Sequence, residues 1–153
     1  MAGVRNHEEL DVYTLSDLVR QRVREIVKRP VSSRDFTLRD QLSDAAESPC
    51  PNIGEGFSRY YPRDNARFVR VAKSSLTEVI EHLKSALAKQ FVERVEHDEI
   101  VSLARRARKA AIRYIQYLET ATAPGAPPPR SRRPRRPPRR ANRRSDNAKP
   151  PDG

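Results

Sequence analysis

The sequence predicts an all-α protein: an antiparallel up-and-down four-helix bundle followed by a disordered basic C-terminal tail. Three observations predict it. Apolar residues recur at spacings of three and four in four segments, the pattern of helices that each bury one face. No segment alternates apolar and polar residues as a half-buried strand does. The charge is divided: of a net +11, residues 124–153 carry nine Arg and one Lys against two Asp, a net of +8, which leaves +3 for residues 1–123. The same tail holds nine of the thirteen prolines. Proline removes backbone donors and like charges repel, so this segment cannot fold alone. Residues 1–123 are therefore read as the bundle domain and residues 124–153 as the Arg/Pro-rich tail.

The first helix is expected over residues 10–28, where Val12, Leu15, Val19, Val23 and Ile26 share a face and Pro30 follows. The second segment spans 36–58. Thr37 with Asp40 three residues later has the spacing of a capping box, and Leu38, Leu42, Ala45 and Ala46 share a face. Its end reads "SPCPNIGEGFSRYYP". Pro49 and Pro51 remove helical hydrogen bonds and bias Ser48 and Cys50 away from helical geometry. A break at 48–51 is expected, with Asn52 capping the resumed piece and Gly54 and Gly56 admitting a close neighbour.

The third helix starts near Pro62, which suits a first turn, with Asp64 complementing the dipole. Its apolar residues are Phe68, Val69, Val71, Ala72, Leu76, Val79, Ile80, Leu83, Ala86 and Leu87. At about 100° per residue they cover about half the circumference, more than one neighbour needs. The surplus predicts association with another copy, which a charge at Ile80 should break if Ile80 faces the neighbouring subunit. The fourth helix, about 97–121, aligns Ile100, Leu103, Ala107, Ala111, Tyr114, Ile115 and Leu118, with Asp98 and Glu99 near its start.

Composition excludes several classes. No run of about 18 apolar residues occurs, so no membrane span is expected. "MAGVRNHEELDVY" lacks a signal-peptide stretch, and a cytoplasmic protein is the simplest expectation. The single cysteine, Cys50, excludes an internal disulfide and a zinc cluster, and reads as a small buried residue. A di-iron site needs Glu-x-x-His on two helices, but Val79 stands three residues before His82. No metal or cofactor is expected. No Gly-x-Ser-x-Gly elbow is present, so Ser75, His82 and Glu55 read as a structural polar cluster and the protein as a non-enzyme.

Taken together, "LRDQLSDAAESPCPNIGEGFSR" and "FVRVAKSSLTEVIEHLKSAL" resemble the four-helix-bundle family encoded in intervening sequences of bacterial 23S ribosomal RNA genes. The resemblance covers about residues 7–120. Asn52, Ile53, Gly54, Glu55, Gly56 and Phe57 match its Asn-Ile-Ala-Glu-Gly-Phe core. Ser75, Leu76 and Glu78 match its Ser-Leu-x-Glu stretch, and His82 its His or Gln one turn later. The chain departs from the family at Cys50, where a proline is usual, and at Asp44 and Glu47, where basic residues are usual. Related accessory proteins of diversity-generating retroelements are pentameric barrels that bind reverse transcriptase and nucleic acid. The resemblance thus implies an assembling scaffold and a homopentamer.

Basic residues supply the candidate site. Arg105, Arg106, Arg108, Lys109 and Arg113 form an arginine-rich face on the fourth helix. Arg63, Arg67 and Arg70 share a face of the third and read as an ordinary solvated surface. In the tail, Arg130, Arg132, Arg133, Arg135, Arg136, Arg139, Arg140, Arg143 and Arg144 are interleaved with prolines that keep them extended, able to follow a phosphate backbone. The tail holds no aromatic residue, so it offers no base stacking and non-sequence-specific contact is expected. The expected function is a self-assembling, nucleic-acid-binding bundle. The alternative is a protein-interaction scaffold, accessory to a reverse transcriptase or another enzyme.

Overall fold

In the computed structural model, which describes residues 4–121, those residues form helices and short connections. A 3-10 turn at His7–Glu9 leads into α1 (Asp11–Val27), and a second at Pro30–Arg34 leads into α2 (Phe36–Glu47). Then follow α3 (Pro49–Phe57), α4 (Pro62–Ala88) and α5 (Arg94–Thr120). Together α2 and α3 make one broken arm, so the architecture is the expected antiparallel four-helix bundle. Its predicted tail, 124–153, lies outside the described residues.

Two apolar layers stack along the bundle. In one, Val19, Val23 and Ile26 of α1 meet Leu38, Leu42 and Ala45 of α2, Val79 and Leu83 of α4, and Ile100 and Ala104 of α5. In the other, Leu10 and Val12 meet Ile53 of α3, Ala66, Val69 and Ala72 of α4, and Ala111, Ile115 and Leu118 of α5. The early turns of α4 thus lie beside the late turns of α5, which makes the pair antiparallel. A left-handed Gln90, φ 60°, ends α4, and Phe91 N–H donates back to Ala86 O at 2.8 Å. This Schellman-type stop reverses the chain into α5.

Several local expectations are corrected. The cap of α2 is Asp35, whose Oδ1 accepts from Leu38 N–H at 2.9 Å, while Thr37 lies inside the helix. Asp35 precedes the helix with non-helical backbone, φ −141° and ψ 89°, so its short carboxylate reaches the orphan donor first. The α5 helix begins at Arg94, three residues before the expected start. The break before α3 sits at Ser48, and α3 resumes at Pro49, not at Asn52.

Neither residue preceding a proline leaves helical geometry: Ser48 has φ −68° and ψ −40°, and Cys50 lies within α3. Tertiary contacts override the local bias. Ser75 Oγ donates to Ser48 Oγ at 2.8 Å, and Asn52 Nδ2 donates to Ser48 O at 2.9 Å. Pro49 and Pro51 occupy the first turn of α3, where N–H groups lack intrahelical acceptors anyway. Burial raises the Cys50 thiol to about 11, so it stays a protonated packing group at neutral pH.

The wide arc of α4 is covered from within. α5, α3 and α2 all pack on it. Ile80 is only 5% exposed inside one chain, so it does not face another subunit. Of the arc, Val71 stands out at 48% exposure. Gly56 behaves as expected of a close approach. A Cβ there would lie 2.7 Å from Asn65 Oδ1, 2.9 Å from Phe68 Cβ and 3.0 Å from Asn65 O, so α4 passes against its backbone. Gly54 instead faces the His7 ring at ordinary contact distance.

Candidate nucleic-acid interface

On α5 the buried face is set by Ile100, Ala104, Ala107, Ala111, Ile115 and Leu118. At about 100° per residue, Arg105, Lys109 and Arg113 lie opposite it, within about 80° of arc and along about 12 Å of helix. All three are exposed, as is Arg106 beside them. Arg106 turns toward α1 and lines an open groove with Asp11, Thr14, Leu15, Leu18, Lys109 and Arg113. A second open groove holds Arg105, Arg106 and Lys109 with His97, Asp98, Val101 and Ser102. Arg108 departs from the expected face. It is half-buried on the opposite rim of the helix, and its Nε is buried with no hydrogen-bond partner among the described residues.

This stripe gathers four cations on one side of α5, without ion pairs among the described residues. Among the described residues, no carboxylate lies within 4.0 Å of Arg105, Arg106, Lys109 or Arg113. Several other arginines in the bundle are tied. Arg29 makes two hydrogen bonds to Glu96, at 2.8 and 2.7 Å. Those bonds hold the Glu96 carboxyl below its ordinary range. Arg24 reaches Glu47 at 2.8 Å, Arg22 reaches Glu99 at 3.1 Å, and Arg70 pairs with Glu119. The expected third-helix face is therefore split: Arg70 is neutralised, whereas Arg63 and Arg67 are exposed and without an ion pair among the described residues.

The motif residues are structural. Ile53 and Leu76 are fully buried and Gly56 is the point of helix approach. Phe57 is half-buried, with its ring 6.1 Å from that of His7. The expected cluster of Ser75, His82 and Glu55 does not form. Ser75 bonds Ser48, whose carbonyl takes the Asn52 amide. Glu55 pairs with Arg59 at the surface, one helical turn on, and Glu78 is exposed. His82 is half-buried apart from that network. Its place in the pattern shows a position on the α4 rim, not a shared site.

Two features escaped the sequence reading. Buried Asn65 donates from Nδ2 to Tyr114 Oη at 2.9 Å, tying α4 to α5. Burial raises the Tyr114 phenol, which therefore stays protonated. The second is Tyr60 and Tyr61, exposed in the turn between α3 and α4. Two adjacent aromatics in a polar turn were the available signal. The tail arginines, Arg130 to Arg144, lie outside the described residues. Among the described residues there is no cluster of metal-ligating side chains, and no helix is long and apolar enough to cross a membrane.

Comparison with known proteins places this architecture. A family model described as 23S rRNA-intervening sequence protein matches residues 8–113. A solved protein of unknown function from the S23 ribosomal protein family of Bacteroides thetaiotaomicron VPI-5482 is similar in structure. Its TM-score is 0.64 at 19% identity, over 69% of this chain and 98% of that one, a likeness of fold. No curated protein matches the chain. With the family model spanning most of the bundle, including Asn52–Phe57 and the Ser75–His82 stretch, the chain belongs to the 23S rRNA-intervening sequence protein family.

Proposed function

We propose that this protein is a non-enzymatic bundle that binds nucleic acid through the outer face of α5, without sequence specificity. The observation that carries this reading is the stripe of Arg105, Lys109 and Arg113 with Arg106, exposed and free of ion pairs among the described residues. Unpaired cations are available to phosphates, whose neutralisation releases counterions and supplies sequence-independent affinity. The arginine-rich residues 124–153 extend that capacity. Asp11 and Asp98 border the two grooves and limit it.

The test is the salt dependence of binding to a labelled oligonucleotide. Changing Arg105, Lys109 and Arg113 together to Ala removes three candidate phosphate contacts. The log–log slope should flatten by about 2–3, at about 0.7–0.9 per contact. Deleting residues 124–153 measures the tail's share, with helicity unchanged. Identical slopes for all three proteins would refute the reading.

A second reading, a protein-interaction scaffold, is favoured by exposed Leu18, which lines the groove beside the stripe, and by Ile112 on α5. Copies of the chain associating there would form the homo-oligomer that the family resemblance implies. Leu18→Asp with Ile112→Asp should then reduce the mass seen by light scattering. A monomeric unmodified protein at micromolar concentration removes this reading.

A further inference from the structure

The turn between α3 and α4 carries an aromatic pair of unusual placement. Tyr60 and Tyr61 are 64% and 56% exposed, and their rings meet edge to face with centroids 5.0 Å apart at 90°. Basic residues flank it in sequence. Arg59, which precedes the pair, lies over the Phe68 ring, 5.0 Å from its centroid, and is tied to Glu55. Arg63 and Arg67 follow on α4, exposed and without an ion pair among the described residues. An open groove runs on from the turn, lined by Asn52, Arg59, Asp64, Arg67, Phe68 and Val71. Asp64 is the one carboxylate in it. The layer that joins Ala66 to Leu118 sets the end of α5 at the same end of the bundle as this turn.

Two exposed rings flanked by guanidiniums match the chemistry of an unpaired base and its phosphate. Every base has a π-face that stacks on an aromatic ring, whatever the sequence, and arginine answers the backbone charge. A duplex keeps its bases stacked on each other and offers no such face. We infer that Tyr60 and Tyr61, with Arg63 and Arg67, form a stacking platform for the bases of a single-stranded nucleic acid. It rests on the nucleic-acid reading but uses different residues from the α5 stripe. The platform selects single strands, while the stripe and the tail attract phosphates of any kind.

The experiment measures binding of three probes: a 12-nucleotide single strand, an abasic strand of equal charge, and a duplex of the same length. In the full-length protein, Tyr60→Ala with Tyr61→Ala should weaken single-strand binding about five-fold or more, the lower end for one stacked base. Abasic and duplex binding should not change, nor should the salt slope. Tyr60→Phe with Tyr61→Phe should restore single-strand affinity, because stacking uses the ring and not the hydroxyl. Tyrosine fluorescence of the unmodified protein, which has no Trp, should be quenched by the single strand and not by the abasic one. That readout holds even if the alanine variant folds poorly. Equal quenching by both strands, or an alanine variant with unchanged single-strand affinity, overturns the platform. Loss of binding by the α5 variant alone would then leave the phosphate reading standing, and failure of every probe to bind would end both.

Discussion

On the α1 side of the bundle, Arg24 reaches Glu47 of α2, while Arg22 and Arg29 reach Glu99 and Glu96 of α5. Further along α5, Arg105, Arg106, Lys109 and Arg113 meet no carboxylate among the described residues. Both groups are cations on or beside amphipathic helices. The difference is what the neighbouring helix presents. Beside the first turns of α5, Arg22 of α1 and Arg29 of the connection after it bring cations to Glu99 and Glu96. Beyond them α1 offers Thr14, Leu15 and Leu18, with Asp11 as the one acid in that groove. Arginines tied to acids join helices, and their charge is already neutralised. Arginines left over are the ones a polyanion can use, so the count of basic residues is a poor guide to a binding face.

The largest effect expected is on the bundle that both groups share. Gly56→Leu would force atoms into Asn65 and Phe68, costing about 3 kcal/mol or more. A thermal melt should show it, and binding should fall only as the fraction folded falls. An unchanged melting temperature would mean that the α3–α4 approach is looser than described. Next comes charge reversal on the stripe. Arg105→Glu, Lys109→Glu and Arg113→Glu together should abolish most duplex and single-strand binding at moderate salt, with helicity preserved by circular dichroism. Retained binding would shift the whole activity to the tail.

A smaller effect is expected at the bidentate pair. Glu96→Gln should destabilise by about 1 kcal/mol at neutral pH, since both groups are partly exposed. The sign with pH follows from the lowered Glu96 value. A carboxyl held below its ordinary range, by Arg29, stabilises the fold above about pH 4 and loses that contribution as pH falls. Asp35, lowered by the Leu38 N–H and by Lys89, acts in the same direction. Denaturant melts from pH 7 to pH 3 should therefore show a smaller loss for Glu96→Gln than for the unmodified chain. Equal losses would mean that the pair is not formed in solution. The smallest change is Arg24→Ala, at a pair more exposed still. It should leave stability nearly unchanged and the salt slope of binding untouched. A flattened slope would show that tied arginines also bind phosphate, and would erase the contrast.

Much of the fold was legible because helical periodicity is local. Val12, Val19, Val23 and Ile26, and Leu38, Leu42, Ala45 and Ala46, are all buried as their spacing required. Gly56 was legible too, since a glycine among apolar residues in a helix points to a close neighbour. The break at Ser48 was legible in place but not in geometry. Proline's bias is local, and it yields to the Ser48–Ser75 contact, whose partners are 27 residues apart. The polar cluster failed for a related reason. Heptad spacing puts Ser75 and His82 on one side of α4, but it cannot say which neighbour each one meets.

The sequence by itself determined four amphipathic segments, the division of charge between residues 1–123 and 124–153, and a bundle with no strand period. Hydrophobic patterning and charge are properties of residues near each other along the chain. Only the tertiary structure decided that the wide arc of α4 is filled by α2, α3 and α5 of the same chain, with Ile80 inside. It also decided that Arg29 is spent on Glu96, 67 residues away, while Arg105 and Lys109 remain free of ion pairs among the described residues. And it left Tyr60 and Tyr61 in solvent at the end where α5 closes. Which charges are neutralised and which rings stay wet depends on distances between helices, and those are set by how the faces pack, not by the order in which the residues are strung.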